Sequence, residues 1–171
     1  MVVWTVGHST HAWADWLSLL RAHRIACVAD VRRVPRSRRQ PHFSTDALAA
    51  ALPPEGVAYH HLARLGGWRS SRRESPNGAW TNASFRAYAD YALTDEFAQG
   101  LEELQALAAE RPTVMVCSEA LWWRCHRRLV ADRLVATGAE VVHIGADGRT
   151  SAHALPAFAS VRDDGRVVYP G

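Results

Sequence analysis

Lysine is missing from this chain: all 20 of its basic residues are arginine. The absence excludes a Walker-type phosphate loop, a pyridoxal Schiff base and every mechanism with a lysine nucleophile, since each needs the amine. Cysteine is scarce and odd in number, with 3 in 171 residues, which argues against a disulfide framework and for a reducing compartment. No apolar run approaches the ~20 residues that a membrane-spanning helix requires. The first residues, Met1-Val2-Val3-Trp4-Thr5-Val6, read as a strand rather than a basic, cleavable leader. A cytoplasmic protein with no membrane association is expected. Repeats, low-complexity tracts and linkers are lacking too, so one domain over residues 1–171 is expected.

What is present suits a globular fold: 48% of residues are hydrophobic and 22% charged. The formal net charge is only +3, so an anionic partner has to be read from local clusters of arginine rather than from total charge. Guanidinium groups bind phosphate and carboxylate in a bidentate manner that an ammonium group does not match.

The hydrophobic pattern alternates between strand and helix. Val2 to Val6, residues 26 to 31, Val57 to His61, Thr113 to Cys117 and Glu140 to Ile144 read as strands. Between them, Trp13, Trp16, Leu17 and Leu20 fall at helical spacing after a Ser9 or Thr10 cap, and Ser44 caps a helix that ends before Pro53-Pro54. Phe85, Tyr88 and Ala92 mark a further helix with Asn82 as its cap; Phe97, Leu101, Leu104 and Ala108 mark the next. The last helix starts somewhere in 118–124 and ends at Thr137, before Gly138. Strands alternating with helices predict an α/β fold: three layers, α/β/α, around a mostly parallel sheet of about five strands. Asp164-Gly165, between β-branched residues in 161–168, signals a C-terminal β-hairpin.

In such sheets ligands bind at the carboxyl ends of the strands. His8 and Ser9 follow the first strand, Asp30 and Arg32 end the second, His61 ends the third, Cys117 and Glu119 the fourth, and His143 the fifth. The two longest connections, 32–43 and 62–82, leave from the same edge and are rich in arginine. Cys117 is a candidate nucleophile if Ser118 opens a helix, because backbone N–H groups and nearby arginines favour a thiolate; its alternative is a buried core thiol. Cys125 at helical spacing from Leu121 and Leu129 reads as core, and so does Cys27 inside the second strand. If Leu121-Trp122-Trp123 is a loop instead, Cys125-His126-Arg127 opens the helix and forms an anion site. Cys117 and Cys125 have 7 residues between them, wider than the two to four typical of structural zinc pairs, so no metal is assigned. The stretch from Cys117 to Arg124 is also too long, and too poor in glycine, for the loop of a Cys-based phosphatase.

Taken together, several segments resemble one known family: Val3-Trp4-Thr5-Val6-Gly7-His8-Ser9, the run from Asp30-Val31-Arg32 through Pro35 to Ser37-Arg38, Leu65-Gly66-Gly67, Cys117-Ser118-Glu119 and Cys125-His126-Arg127. Their order along the chain is similar to that of the Domain of Unknown Function 488 family (DUF488). The resemblance covers nearly the whole chain and implies a shared site at these positions. It implies no reaction.

Three functional readings fit the sequence. The first is a small enzyme acting on a phosphate-bearing or other anionic small molecule. In it Cys117 serves as nucleophile or redox thiol, Glu119, Asp30 and His126 are acid/base candidates, and Arg32, Arg38, Arg127, His8 and Ser9 bind the anion. The second is a nucleic-acid-binding module whose Arg-rich loops contact phosphates while Phe43, Trp68 and Trp80 stack on bases. The third is an oligomer with its tryptophans at the interface. The third accounts for the aromatic residues but not for the polar residues gathered at the strand ends, and the first is favoured over the second by a narrow margin. The sequence names no cofactor and sets no oligomeric state.

Overall fold

A computed structural model describes residues 1–171. The chain runs through strand β1 (Val2–Gly7), helix α1 (Trp13–Ala22), strand β2 (Cys27–Asp30), helix α2 (Thr45–Ala51) and strand β3 (Ala58–His61). Helices α3 (Ala83–Tyr91) and α4 (Asp95–Glu110) follow in succession, then β4 (Thr113–Cys117), α5 (Arg127–Ala136) and β5 (Glu140–Ile144). Short strands β6 (Thr150–Ala152), β7 (Ser160–Val161) and β8 (Val167–Val168) complete it. The main sheet has the order β3-β2-β4-β1-β5-β6, parallel throughout except for β6, which runs antiparallel to β5. The expected α/β architecture and the C-terminal hairpin, β7 with β8, are both present.

Strand order dictates where the helices lie. From β1 to β2 to β3 the chain moves toward one edge; from β3 to β4 to β5 it moves back. Right-handed crossovers taken in opposite directions place their helices on opposite faces. One face accordingly packs Trp16 and Leu20 of α1 and Leu48 of α2 on Val6, Val28, Val114 and Val116. The other packs α3, α4 and α5, through Tyr88, Phe97, Leu104 and Leu129, on Val3, Ala29, Met115 and Cys117. The period-2 alternation of β4 therefore turns Cys117 toward α5, and that of β2 turns Asp30 the other way.

Caps explain several helix starts. Ser44 Oγ accepts from Ala47 N, Asn82 Oδ1 from Ser84 N and Phe85 N, and Thr94 Oγ1 from Phe97 N. The expected Ser9 or Thr10 cap of α1 is not formed: Ala12 is the N-cap and carries no side-chain bond. Ser9 lies at φ 45°, and its N–H continues the sheet ladder to Ser118 O at 3.0 Å, so the chain needs more residues before it can turn into the helix. The last helix begins at Arg127, later than the 118–124 start and in line with the alternative in which Cys125-His126-Arg127 opens it, because Trp122–Arg124 forms a separate turn of 3₁₀ helix. No helix is long and apolar enough to cross a membrane.

A buried polar chain ties the right-hand half of the sheet to α5. Tyr169 donates its hydroxyl to Asp132 Oδ2 at 2.6 Å, and His153 Nε2 donates to Asp132 Oδ1 at 2.7 Å. His153 Nδ1 must then accept from His143 Nε2, 3.0 Å away, and His143 Nδ1 accepts from Thr5 Oγ1 at 2.7 Å. Every atom is satisfied with both imidazoles neutral. Burial first, then the unfavourable pairing with His153 when both rings are protonated and the Arg127 charge, push His143 down to about 3. The unfolded chain therefore binds a proton at His143 that the folded one refuses, and stability present above pH ~6.5 is lost as pH falls toward the folded value. We expect acidification from pH 7 to pH 5 to cost about 2 kcal/mol through His143 alone. Urea unfolding followed at both pH values, in the parent and in His143→Gln, measures this; the variant should lose most of that slope.

Candidate active site

β4 enters the sheet between β2 and β1, so its carboxyl end is flanked by the ends of both. Because the connections of these neighbours leave on the opposite face, a crevice opens at Cys117, the place where open α/β sheets bind ligands. The cleft has two adjoining lobes of about 670 and 660 Å³, whose shared wall is made by Gly67, Trp68, Cys117, Ser118 and His126. Arg32, Arg33 and Arg36 line the first lobe; Arg69, Arg124 and Cys125 line the second.

The thiol cluster sits at that wall. Cys117 Sγ lies 3.9 Å and Cys125 Sγ 3.7 Å from His126 Nδ1, and the three atoms fall within 4.8 Å of one another. His126 Nε2 meets the Val31 carbonyl at 2.9 Å. A carbonyl only accepts, so Nε2 carries the proton and Nδ1 turns its lone pair to both thiols. Cys125 is buried, as expected, yet it precedes α5 rather than riding on it and borders the second lobe. The Cys117 thiol is held well below its ordinary range, first by the Cys125 thiol that donates to it and then, against the opposing effect of burial, by His126 and the charge of Arg127. Burial and the neighbouring Cys117 push Cys125 well up. One sulfur is thus set to be a thiolate and the other a thiol.

Glycines make this closeness possible. A Cβ on Gly7 would stand 2.1 Å from the Glu119 carbonyl, one on Gly66 2.6 Å from Arg33 Cα, and one on Gly67 3.1 Å from His126 Nδ1. The Leu65-Gly66-Gly67 segment is held from behind by Tyr88, which donates to Leu65 O at 2.5 Å, and by Tyr91, which donates to Arg64 O at 2.6 Å.

On the opposite face, Asp30 is fully buried and accepts from Arg32 Nε at 2.8 Å and Nη2 at 2.6 Å, and from Tyr59 Oη at 2.9 Å. Arg32 also donates from Nη2 to Phe43 O at 2.7 Å and from Nη1 to His8 Nε2 at 3.1 Å. Only one Nη1 hydrogen remains for a ligand. Asp30 therefore stands behind Arg32, out of reach of the thiols, as a positioning group. His8 accepts from Arg32 at Nε2 and donates from Nδ1 to Ser9 O at 3.0 Å; burial and then the Arg32 charge push it down to about 4.

Of the other residues singled out in the sequence, His126, Ser118 and His8 border the cleft, and Glu119 borders the second lobe with its Oε1 engaged by Leu121 N at 3.1 Å. Arg38 is exposed and lines neither lobe; Arg36, two residues earlier, does. Ser9 also lies outside both lobes. Arg127 is 1% exposed, donates to the Glu119 carbonyl and has no carboxylate partner. Trp80 and Phe43 are not free to stack on bases: Trp80 packs among Phe85, Phe158 and Tyr169, and Phe43 against His8 and Trp16. Trp122 is half-buried and lies flat on His143, ring centroids 4.0 Å apart. Gly67, in the Leu65-Gly66-Gly67 segment quoted from the sequence, lines both lobes; Arg36 and Arg69 line the cleft although neither was among the anion-binding candidates.

Two sulfurs and one imidazole nitrogen are also donors that a soft cation accepts. The buried, unpaired Arg127 already places a positive charge beside them, which opposes a second cation.

A family model described as Domain of unknown function DUF488 matches residues 12–134. The matched stretch takes in Asp30 to Arg38, Leu65-Gly66-Gly67, Cys117-Ser118-Glu119 and Cys125-His126-Arg127, and begins after His8-Ser9. No curated protein and no solved structure matches the chain.

Two outcomes follow from the geometry. Asp30→Asn leaves Arg32 buried without its counter-charge, a loss of about 3–5 kcal/mol, measurable as a drop in the urea midpoint at unchanged m. Gly67→Ala crowds His126 Nδ1, 3.1 Å from the added Cβ, so the pH midpoint for alkylation of Cys117 should rise as the imidazole is displaced; an unchanged midpoint would count against a role for His126 Nδ1 at the thiol.

Proposed function

This chain belongs to the DUF488 family, and we propose that it is a cysteine-dependent enzyme acting on an anionic small molecule in a reducing, cytoplasmic setting. The observation that carries the reading is Cys117: its sulfur borders both lobes of an arginine-lined cleft and faces the free nitrogen of an imidazole. A thiolate is the reactive form of cysteine, and Cys125, His126 and Arg127 favour it at Cys117 against the opposing effect of burial. His126 takes the thiol proton on Nδ1 and returns it to the departing group, while its Nε2–H stays on Val31. Arg33 and Arg36 supply the exposed guanidinium groups that hold the anion; Arg32, nearly saturated by Asp30, Phe43 and His8, contributes one N–H and the rigidity of the wall.

A second reading rests on Trp68, which is 91% exposed at the mouth of the cleft between arginines. An indole so placed is available to stack on a base, with Arg33, Arg36 and Arg69 on phosphates, in a nucleic-acid-binding module without chemistry at the thiols. Binding of single-stranded DNA or RNA that falls steeply with salt and survives Cys117→Ser supports this second reading.

The test of the first is the pH dependence of iodoacetamide alkylation at each cysteine, followed by mass spectrometry. Cys117 is expected to react with a midpoint well below the ~8.5 of a free thiol, and Cys27, fully buried, only after unfolding. Arg36→Ala should weaken protection of Cys117 by inorganic phosphate or a small dicarboxylate about tenfold, the worth of one charge-assisted contact. A Cys117 that reacts only in the unfolded protein refutes the enzyme reading.

A further inference from the structure

A mechanism with one nucleophile uses Cys125 only as a hydrogen-bond donor to Cys117, yet Cys125 also borders the cleft and shares the same imidazole. We propose that Cys117 and Cys125 are the attacking and resolving thiols of a dithiol that reduces a disulfide bearing anionic groups on both halves; this rests on the reading of Cys117 as a nucleophile.

Three features support it. The two sulfurs and His126 Nδ1 lie within 4.8 Å of one another, so closing to the ~2.05 Å of a disulfide takes only a local shift. Cys125 is placed to make that shift, since it sits in extended backbone between the turn Trp122–Arg124 and α5, outside either helix. The cleft is also bipartite: two lobes of nearly equal size, about 670 and 660 Å³, meet at Cys117, one with Arg33 and Arg36 and the other with Arg69 and Arg124. Such a shape fits a molecule with two anionic halves joined at the bond to be broken. The division of labour follows from placement: Cys117 borders both lobes, Cys125 only the second.

The chemistry balances with the two thiols alone. Cys117 gives its proton to His126 Nδ1 and attacks one substrate sulfur; the substrate S–S bond breaks, and the first half leaves as a thiolate that takes the proton back from Nδ1. A mixed disulfide remains on Cys117. Cys125 then gives its proton to the same Nδ1 and attacks Cys117 Sγ, so the second half leaves, is protonated, and a Cys117–Cys125 disulfide forms. The substrate gains two electrons and two protons, which the dithiol loses. A thiol reductant would restore the pair.

The experiment uses reduced full-length protein and a large molar excess of glutathione disulfide, with intact-mass spectrometry and assay of released glutathione. The parent protein is expected to lose two hydrogens, with a Cys117–Cys125 peptide cross-link and two equivalents of glutathione released. Cys125→Ser and Cys125→Ala should both stop at one glutathionyl group on Cys117 with one equivalent released; Cys117→Ser should do neither. Arg36→Ala combined with Arg69→Ala should slow the reaction about tenfold relative to the uncharged bis(2-hydroxyethyl) disulfide. A parent protein that keeps a stable glutathionyl group on Cys117 as the Cys125 variants do overturns the resolving role while leaving the nucleophile standing. A Cys117 inert to both iodoacetamide and the disulfide overturns both readings. Thiols that become reactive only after chelation show a metal site instead and overturn the dithiol.

Discussion

The position of β4 between β1 and β2 is the constraint on which the site depends. The strand follows its two neighbours and the outer strand β3 in the sequence yet lies between β2 and β1, and its helix leaves on the face opposite to theirs. Its last residue, Cys117, is thereby surrounded by three loop systems: the turn after β1, the Arg-rich segment after β2 and the Gly66-Gly67 segment after β3. Backbone bonds from His8 N to Cys117 O and from Val31 N to Val116 O carry the ladder to the very end of β4, so the thiol stands on rigid sheet. The mobile part of any mechanism is left to Cys125, on irregular backbone.

Charge is distributed just as unevenly. On the α1/α2 side, the buried Asp30–Arg32 pair is nearly complete, with Tyr59, Phe43 and His8 closing every position but one Nη1 hydrogen of Arg32. A satisfied pair of this sort contributes shape and register more than reactivity. On the α5 side, Arg127 is as deeply buried but faces no carboxylate. The same cation that is costly to the fold lowers the cost of a thiolate at Cys117. The two arginines, alike in the sequence as neighbours of a strand end or helix start, have opposite roles because one has an acid two residues away and the other does not.

The sequence made the layers legible, since strand and helix periods differ and Ser44, Asn82 and Gly138 mark helix ends. It marked the hairpin at Asp164-Gly165 but not the one at Asp147-Gly148, where Thr150–Ala152, short, exposed and polar, lacks the alternation of a half-buried strand. The gathering of polar residues at one sheet edge was also readable. Which of them touch was not: Val31 and His126 meet across 95 residues, and the bond between them decides which imidazole nitrogen faces the thiols. Strand alternation, by contrast, could have separated Asp30 from Cys117 once the faces were known. The burial of Trp80 and Phe43 was beyond reach for a different reason, because an aromatic residue in a long loop reads the same whether it folds back on the core or projects from it.

Arg127 also bears on what the two sulfurs can become. With Cys117 as thiolate and Cys125 as thiol, one negative charge stands near one buried positive charge. Two thiolates around a divalent cation would be neutral by themselves and leave the guanidinium uncompensated in a low-dielectric interior. A disulfide leaves it uncompensated too, which raises the reduction potential of the pair, so net reduction of a substrate disulfide is driven by an excess of that disulfide or by a thiol pool that removes the Cys117–Cys125 disulfide after each turnover. A disulfide of that character is readily reduced by a thiol pool. The arrangement therefore suits a pair that is oxidised briefly, by an electrophile brought to it in the cleft, rather than one that holds the fold together. That agrees with the placement of all three cysteines: the third, Cys27, is sealed in the sheet, and the two that share an imidazole are the two that reach the cleft.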